Sequence, residues 1–396
     1  MMPPGSAPRD RRAPRPHASR GVSLVELLVG IAIGMLTVLA ITQMFLVADG
    51  QRRVPASLAA TQVNGILALD AIQRDVQQAG YGLGGGPWLG CKAAAVRVGD
   101  RGLSALRLAP VVITPRTGAD PSDRVTVLYS GKMGPAVPMR LAEAHAATAE
   151  HLVVTSHLGV RHKDWLVLAT EDGAACAAIL VEPGDAGRTA IACVDAGGDP
   201  CPAGRWSVAY APPGPGDFPA GSVLVNLGEY PVYREWHVAG EGGHWRLRVT
   251  DLATPDPAAG AERHADDAFA DVVLLRALYA KDTDGDGLVD TYDAVTPTDG
   301  SGWAQVRAVR LALVVRSGER VKGEAPVTPV PLAWNLGHVA VPGAQACADD
   351  ASGHCLTLTL DHTTPGGGDE WQFYRYRLFD TLVPVRNLIW NVGATP

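Results

Sequence analysis

Gly21-Val22-Ser23-Leu24-Val25-Glu26 opens an apolar run that continues without a charge from Leu27 to Val47. As a helix the run is about 31 Å long, enough to cross a bilayer. A secretory signal has a shorter core, of about 7–15 residues, followed by a small-residue cleavage site. This core is too long, and no Ala-x-Ala-like site follows it. A plain membrane anchor needs neither the glycine nor the carboxylate at its mouth. An ionisable group there is costly in lipid, so Glu26 calls for a partner.

Gly21 through Glu26 resembles the prepilin peptidase site of type IV prepilins. In that family the leader is cut after the glycine, the new amine is N-methylated, and the fifth mature residue is glutamate. The resemblance implies cleavage between Gly21 and Val22 and methylation at Val22, which stands where the family usually has Phe. Cutting there places a positive amine near Glu26. In a filament, Glu26 of one subunit can pair with the Val22 amine of a neighbour, which relieves two charges that are expensive in an apolar core. Residues 1–21 then form the leader. Arg9, Arg11, Arg12, Arg15 and Arg20 precede the span, which predicts a cytoplasmic leader and a body outside the inner membrane.

After the span, Val63, Ile66, Leu69, Ile72, Val76 and Ala79 recur at three- and four-residue steps. They predict one apolar face on a continuing helix. Asp70, Arg74 and Gln77 fall on other faces. Pro55 is expected to kink or briefly break the helix, and the glycines from Gly80 to Gly86 to end it. Gly80-Tyr81-Gly82-Leu83-Gly84-Gly85 matches the dinucleotide pattern only in letters: it follows a helix, not a strand, and Pro87 stands where a helix should begin. The junction Gln78-Ala79-Gly80-Tyr81 leading to Cys91 resembles that of PilW-type minor pilins.

The 45 glycines and 30 prolines of this 396-residue chain imply many turns, hence a β-rich body. A formal net charge of -7 gives no basic signature for nucleic acid. Strands are expected at Ala105–Leu108, Arg124–Tyr129, Leu152–Thr155, Trp165–Ala169, Ala177–Val181, Ala190–Val194 and Trp206–Tyr210. Further ones are expected at Ser222–Leu227, Val232–His237, His244–Thr250, Val272–Tyr279, Val306–Val315, Cys355–Leu360 and Gln372–Leu378. Ala211–Gly221 and Ala253–Ala261 read as surface loops or subdomain boundaries, and Thr363–Asp369 as a hairpin tip. Cys91, Cys176, Cys193, Cys201, Cys347 and Cys355 all follow the span. An even count in an exported body suggests disulfides. Cys193/Cys201 and Cys347/Cys355 have spacings suited to local loops, which leaves Cys91 with Cys176. Other pairings remain open. Zinc is disfavoured because no Cys-x-x-Cys or paired histidine spacing occurs.

The sharpest chemical motif runs from Asp282 to Asp293. Asp282, Asp284, Asp286, Asp290 and Asp293 stand at loop positions 1, 3, 5, 9 and 12, with Gly287 at position 6. That is the spacing of an EF-hand-type calcium loop. Leu288 would offer its carbonyl, Asp293 would close the shell, and Asp290 would act directly or through water. Position 12 is Asp rather than Glu. The preceding Val272-Val273-Leu274-Leu275 reads as strand, so the expectation is a calcium loop without helix–loop–helix. An acidic turn with no ion is the bland alternative. The stretch Tyr279 through Val315 also resembles PilW-type minor pilins.

No G-x-S-x-G or H-E-x-x-H occurs, so no enzyme is expected. His157 and His162 read as surface residues, and Trp88, Trp303, Trp334 and Trp390 as core packing. Taken with the resemblance, the chain is expected to be an α+β, type IV pilin-like protein. Its parts are a leader (1–21), a pilin helix (22–80, transmembrane about 24–47) and a β-rich head (81–396). The resemblance implies a tip-located minor pilin that promotes pilus assembly, and thereby twitching motility and adhesion. Its partners would be other minor and major pilins, the prepilin peptidase and the inner membrane. It would move from a single-pass inner-membrane state, head in the periplasm, to the pilus at the cell surface. The rival readings are a minor pseudopilin of a type II secretion system and a membrane-anchored, calcium-dependent adhesin or enzyme.

Overall fold

The structure is a computed structural model. It describes residues 23–117, 121–134, 137–182, 190–192, 204–254, 265–321, 325–364 and 368–389, without the side chains of 46–58 and 190–192. The chain divides into two compact units, Met1–Ala56 and Ser57–Pro396. The first helix, α1, spans Leu24–Gln78, so its last part belongs with the second unit. Ser23 caps its start: the Glu26 amide donates to Ser23 Oγ at 3.2 Å. Of the kink or brief break expected at Pro55, the break is absent: the helix runs through it. A proline removes one ladder bond while those on either side persist. The helix ends at Gly80, whose φ of 82° suits a residue without Cβ. There the Gly80 amide turns to Leu128 O at 2.9 Å.

The second unit is a strand-rich head, so the architecture is mixed α+β. One five-stranded antiparallel sheet contains β1 (Val111–Thr114), β2 (Arg124–Tyr129), β3 (Val232–Glu241), β4 (His244–Asp251) and β5 (Ala265–Ala270), in the order β5-β4-β3-β2-β1. A four-stranded antiparallel sheet contains β6 (Val272–Lys281), β7 (Thr291–Asp293), β8 (Val306–Arg316) and β9 (Tyr376–Pro384), in the order β7-β6-β8-β9. Residues 139–228 carry a further four-stranded sheet and a three-stranded one, around their own apolar cluster of Leu152, Leu166, Ile179 and Phe218.

The apolar run of β6 is explained by burial on both faces. Val272, Leu275, Ala277 and Tyr279 enter the main core with α1, while Val273, Leu278 and Ala280 join Trp334, Leu358 and Trp371 in a second core. Two-sided burial replaces the polar–apolar alternation of a half-exposed strand with a continuous apolar run. The two sheets are stitched together by side chains. Ser122 Oγ and Asp123 Oδ2 accept the amides of Leu275 and Ala277 at 2.7 and 2.9 Å. Tyr279 Oη accepts the Ile113 amide at 2.8 Å and donates to Val111 O at 3.0 Å.

Three expectations need correction. The face α1 buries is Thr61, Gly65, Ala68, Ile72, Asp75 and Val76, with Ala79 just past its end, whereas Val63 and Ile66 are 55% and 54% exposed. The cause is at Gly65: a Cβ there would lie 2.0 Å from the Phe379 ring of β9, so the helix meets the sheet through small residues. The strand expected at Gln372–Leu378 begins later, at Tyr376, and is preceded by a 3-10 turn over Gly368–Phe373 that buries Trp371. In the stretch expected as a hairpin tip, Thr363 ends one 3-10 turn (Asp361–Thr363), Gly368 and Asp369 open another (Gly368–Phe373), and 365–367 lie outside the described residues. The short strands β1 and β5 carry no strong alternation and were not expected.

Disulfides join Cys91 to Cys176 and Cys347 to Cys355, with Cα separations of 6.0 and 5.1 Å. The pairing of Cys193 with Cys201 lies outside the described residues, as do Gly21, Val22 and Trp390. Trp88, Trp303 and Trp334 are buried. His157 lies against the Trp206 ring, and His162 pairs with Glu182 at 2.9 Å.

Candidate functional site

Three places carry the chemistry. The first is the start of α1. Leu24–Phe45 has a mean hydropathy of 2.5, and its length and composition suit a membrane span. Leu24, Leu28, Ile31, Met35, Leu39 and Phe45 are all exposed, as are the residues between them. Glu26 sits in the first turn, where the helix dipole favours a carboxylate. This suits membrane anchoring.

The second is Asp75, which sequence reasoning did not single out. It lies on the buried face of α1 and is 7% exposed. Its carboxylate accepts Trp236 Nε1–H of β3 at 2.8 Å and Tyr129 Oη–H of β2 at 3.1 Å. Arg234 stands 3.5 Å away. Burial, then the negative charge of Asp75, pushes the Tyr129 hydroxyl up to about 12, so it stays a donor. A polar clamp of this kind fixes the register of the helix on the five-stranded sheet.

The third is the acidic loop, which connects β6 to β7 as a hairpin, with Lys281 opposite Thr291. No helix flanks it. Asp282 is almost fully buried. Its carboxylate accepts the amides of Gly285 at 2.7 Å and Gly287 at 3.0 Å, plus the Arg307 guanidinium at 2.6 and 3.0 Å. The Arg307 bond holds Asp282 below the usual carboxylate range, against the opposing effect of desolvation. Gly285 and Gly287 turn the chain at φ of 83° and 91°, values that disfavour side chains. Asp290 Oδ2 accepts both the amide and the hydroxyl of Thr283 at 2.8 Å.

The result is that Asp282, Asp284 and Asp290 bring one carboxylate oxygen each to within 4.8 Å of one another. Asp286 and Asp293 are not in that group. Asp286 accepts the Leu288 amide at 2.7 Å, and both oxygens of Asp293 face Lys281 Nζ at 2.7 and 2.8 Å. An all-oxygen, three-carboxylate set with one guanidinium beside it suits a hard divalent cation rather than a soft metal. The twelve-residue spacing alone could not show that Arg307 and Lys281 each claim one of the five acids.

Residues 239–387 match the family model described as Type IV Pilus-assembly protein W. The match covers less than half of the chain and includes β4 to β9 and the whole acidic loop. No curated protein and no solved structure matches the chain.

Proposed function

On the premise that this is a PilW-like type IV pilus protein, we propose that it is a minor pilin, located at the filament tip, that promotes pilus assembly and thereby twitching motility and adhesion. It acts by assembly rather than by catalysis. The apolar part of α1 holds the precursor in the inner membrane with its head in the periplasm. The prepilin peptidase cuts between Gly21 and Val22 and Val22 is methylated. The helix then leaves lipid and packs with those of other minor and major pilins. Glu26 sets register by pairing with the Val22 amine of the next subunit, because two opposite charges together cost less in an apolar core than either alone.

The single observation that supports this most is Glu26 at the mouth of a bilayer-length helix in a chain whose later part is PilW-like. A type II secretion pseudopilin would share the N-terminal segment, and the PilW match favours the pilus. Mass spectrometry of the mature protein tests the first step: the reading expects an N-methylated Val22 as first residue and fails if Met1 is retained. Glu26→Ala is expected to abolish recovery of the protein in sheared filaments while the head stays folded. Normal incorporation would refute the register mechanism.

We further propose that the β6–β7 loop binds calcium. Asp282, Asp284 and Asp290 would supply the carboxylates, with Asp286 and the Leu288 carbonyl as remaining donors, while Asp293, held through both oxygens by Lys281, would stay outside the shell. The bound cation would stiffen the hairpin by neutralising acids that otherwise repel.

A further inference from the structure

β9 is the edge of its sheet: it pairs with β8 on one side, and among the described residues no strand pairs with the other. An edge this long is a ready template for another strand. Its nine residues contain one proline, Pro384, at the last position, so proline removes none of the outward-facing amides before it, which alternate with those bonded to β8. The first half of β9 borders a groove of about 450 Å³ whose other walls include Thr61 of α1 and Val327 and Thr328. That volume lies in the range of ordinary ligand clefts, roughly 300–1,000 Å³.

Among the described residues, the charged side chains that line the groove have one sign. Arg375 and Arg377 both line it, and among the described residues neither guanidinium meets a carboxylate. The one acid on β9, Asp380, is bound by Arg310 of β8 at 2.6 Å. Nearby cations are otherwise engaged: Arg320 pairs with Glu370 at 3.1 Å, and the Arg316 guanidinium donates to Thr363 O and Gly243 O. Two arginines two residues apart, beside a free edge, match the spacing at which alternate side chains of an added strand recur.

We propose that this groove receives an extended acidic segment of a partner protein, which adds as a strand to the free edge of β9 and pairs its carboxylates with Arg375 and Arg377. Backbone bonds to the edge supply the affinity and the two guanidiniums supply the choice of charge. A small anion would use the arginines and leave the edge unpaired. The inference rests on the edge and the charges, and stands whether or not the protein enters a filament.

The test uses the full chain in detergent and a terminally blocked peptide, matched in length to the nine residues of β9, that alternates glutamate and valine. Fluorescence anisotropy is expected to show binding, and amide exchange across Tyr376–Leu382 is expected to slow. Replacing each glutamate by lysine, or alternate valines by proline, is expected to abolish both effects. Arg375→Ala with Arg377→Ala is expected to weaken binding about tenfold, the scale of two exposed charge pairs. The proposal is overturned if the glutamate peptide does not bind, if the lysine peptide binds as well, if the double variant binds unchanged, or if β9 amides exchange as before. Should the double variant not fold, the lysine and proline peptides on the unaltered protein still decide.

Discussion

A carboxylate with three partners is the residue on which the helix–sheet joint turns. Replacing Asp75 by Ala leaves the Trp236 indole and the Tyr129 hydroxyl buried without an acceptor. The expected loss is roughly 1–3 kcal/mol, measured by urea unfolding of the full chain in detergent. Asp75→Asn keeps one acceptor and is expected to lose less. His362 has a different signature. Its Nε2 bonds Val273 O at 3.1 Å, and burial lowers its pKa more than that bond and Asp361 raise it. The unfolded chain therefore takes up a proton below about pH 6.5 before the folded chain does. Stability from this site is present above that pH and is lost as pH falls. His362→Gln, which keeps a donor towards Val273 but cannot titrate, is expected to shrink the fall in Tm between about pH 7 and pH 5. An unchanged fall would assign it to other groups. Neither residue advertised itself in the sequence. Asp75 reads as one more acid on a helix because its partners lie 54 and 161 positions away.

Close approach of α1 to β9 is governed by what is missing at Gly65. Gly65→Ala would drive a methyl group into the Phe379 ring. The cost is expected to be about 1–3 kcal/mol, with part regained in the double variant Gly65→Ala/Phe379→Leu. Additive losses in thermal unfolding would show that the two positions do not share the contact. This element also shows where sequence patterning stops. The periodicity at Ile72, Val76 and Ala79 was legible because those residues are both apolar and buried. It failed at Val63 and Ile66 because a helix that packs tightly uses small residues inward, and hydrophobicity alone then points to the wrong face. β6 was legible for the opposite reason: two cores bury it, and nothing polar interrupts the run. The start of β9 was misplaced because aromatic residues at 371–376 serve equally a strand and a turn that tucks Trp371 inward.

For the whole molecule, the calcium proposal makes a thermodynamic claim. A ligand held only by the folded state stabilises by mass action, about 2.7 kcal/mol at a hundred times its Kd. Calcium is therefore expected to raise the Tm of the full chain, and Asp284→Asn with Asp290→Asn is expected to remove the shift. Isothermal calorimetry with no heat and scanning calorimetry with no shift would return the loop to a plain acidic turn. The acidic spacing could be read from the chain; the grouping of three acids and the diversion of Asp293 to Lys281 could not, since they depend on β6, β7 and β8 lying side by side. The Asp75 clamp has a mechanical corollary. Tension drawn along α1 meets β9 at the Gly65–Phe379 contact and then β2 and β3 at Asp75, the strands that supply the tyrosine and the indole. A subunit under traction is therefore gripped at two places along the helix, one apolar at Gly65 and one polar at Asp75.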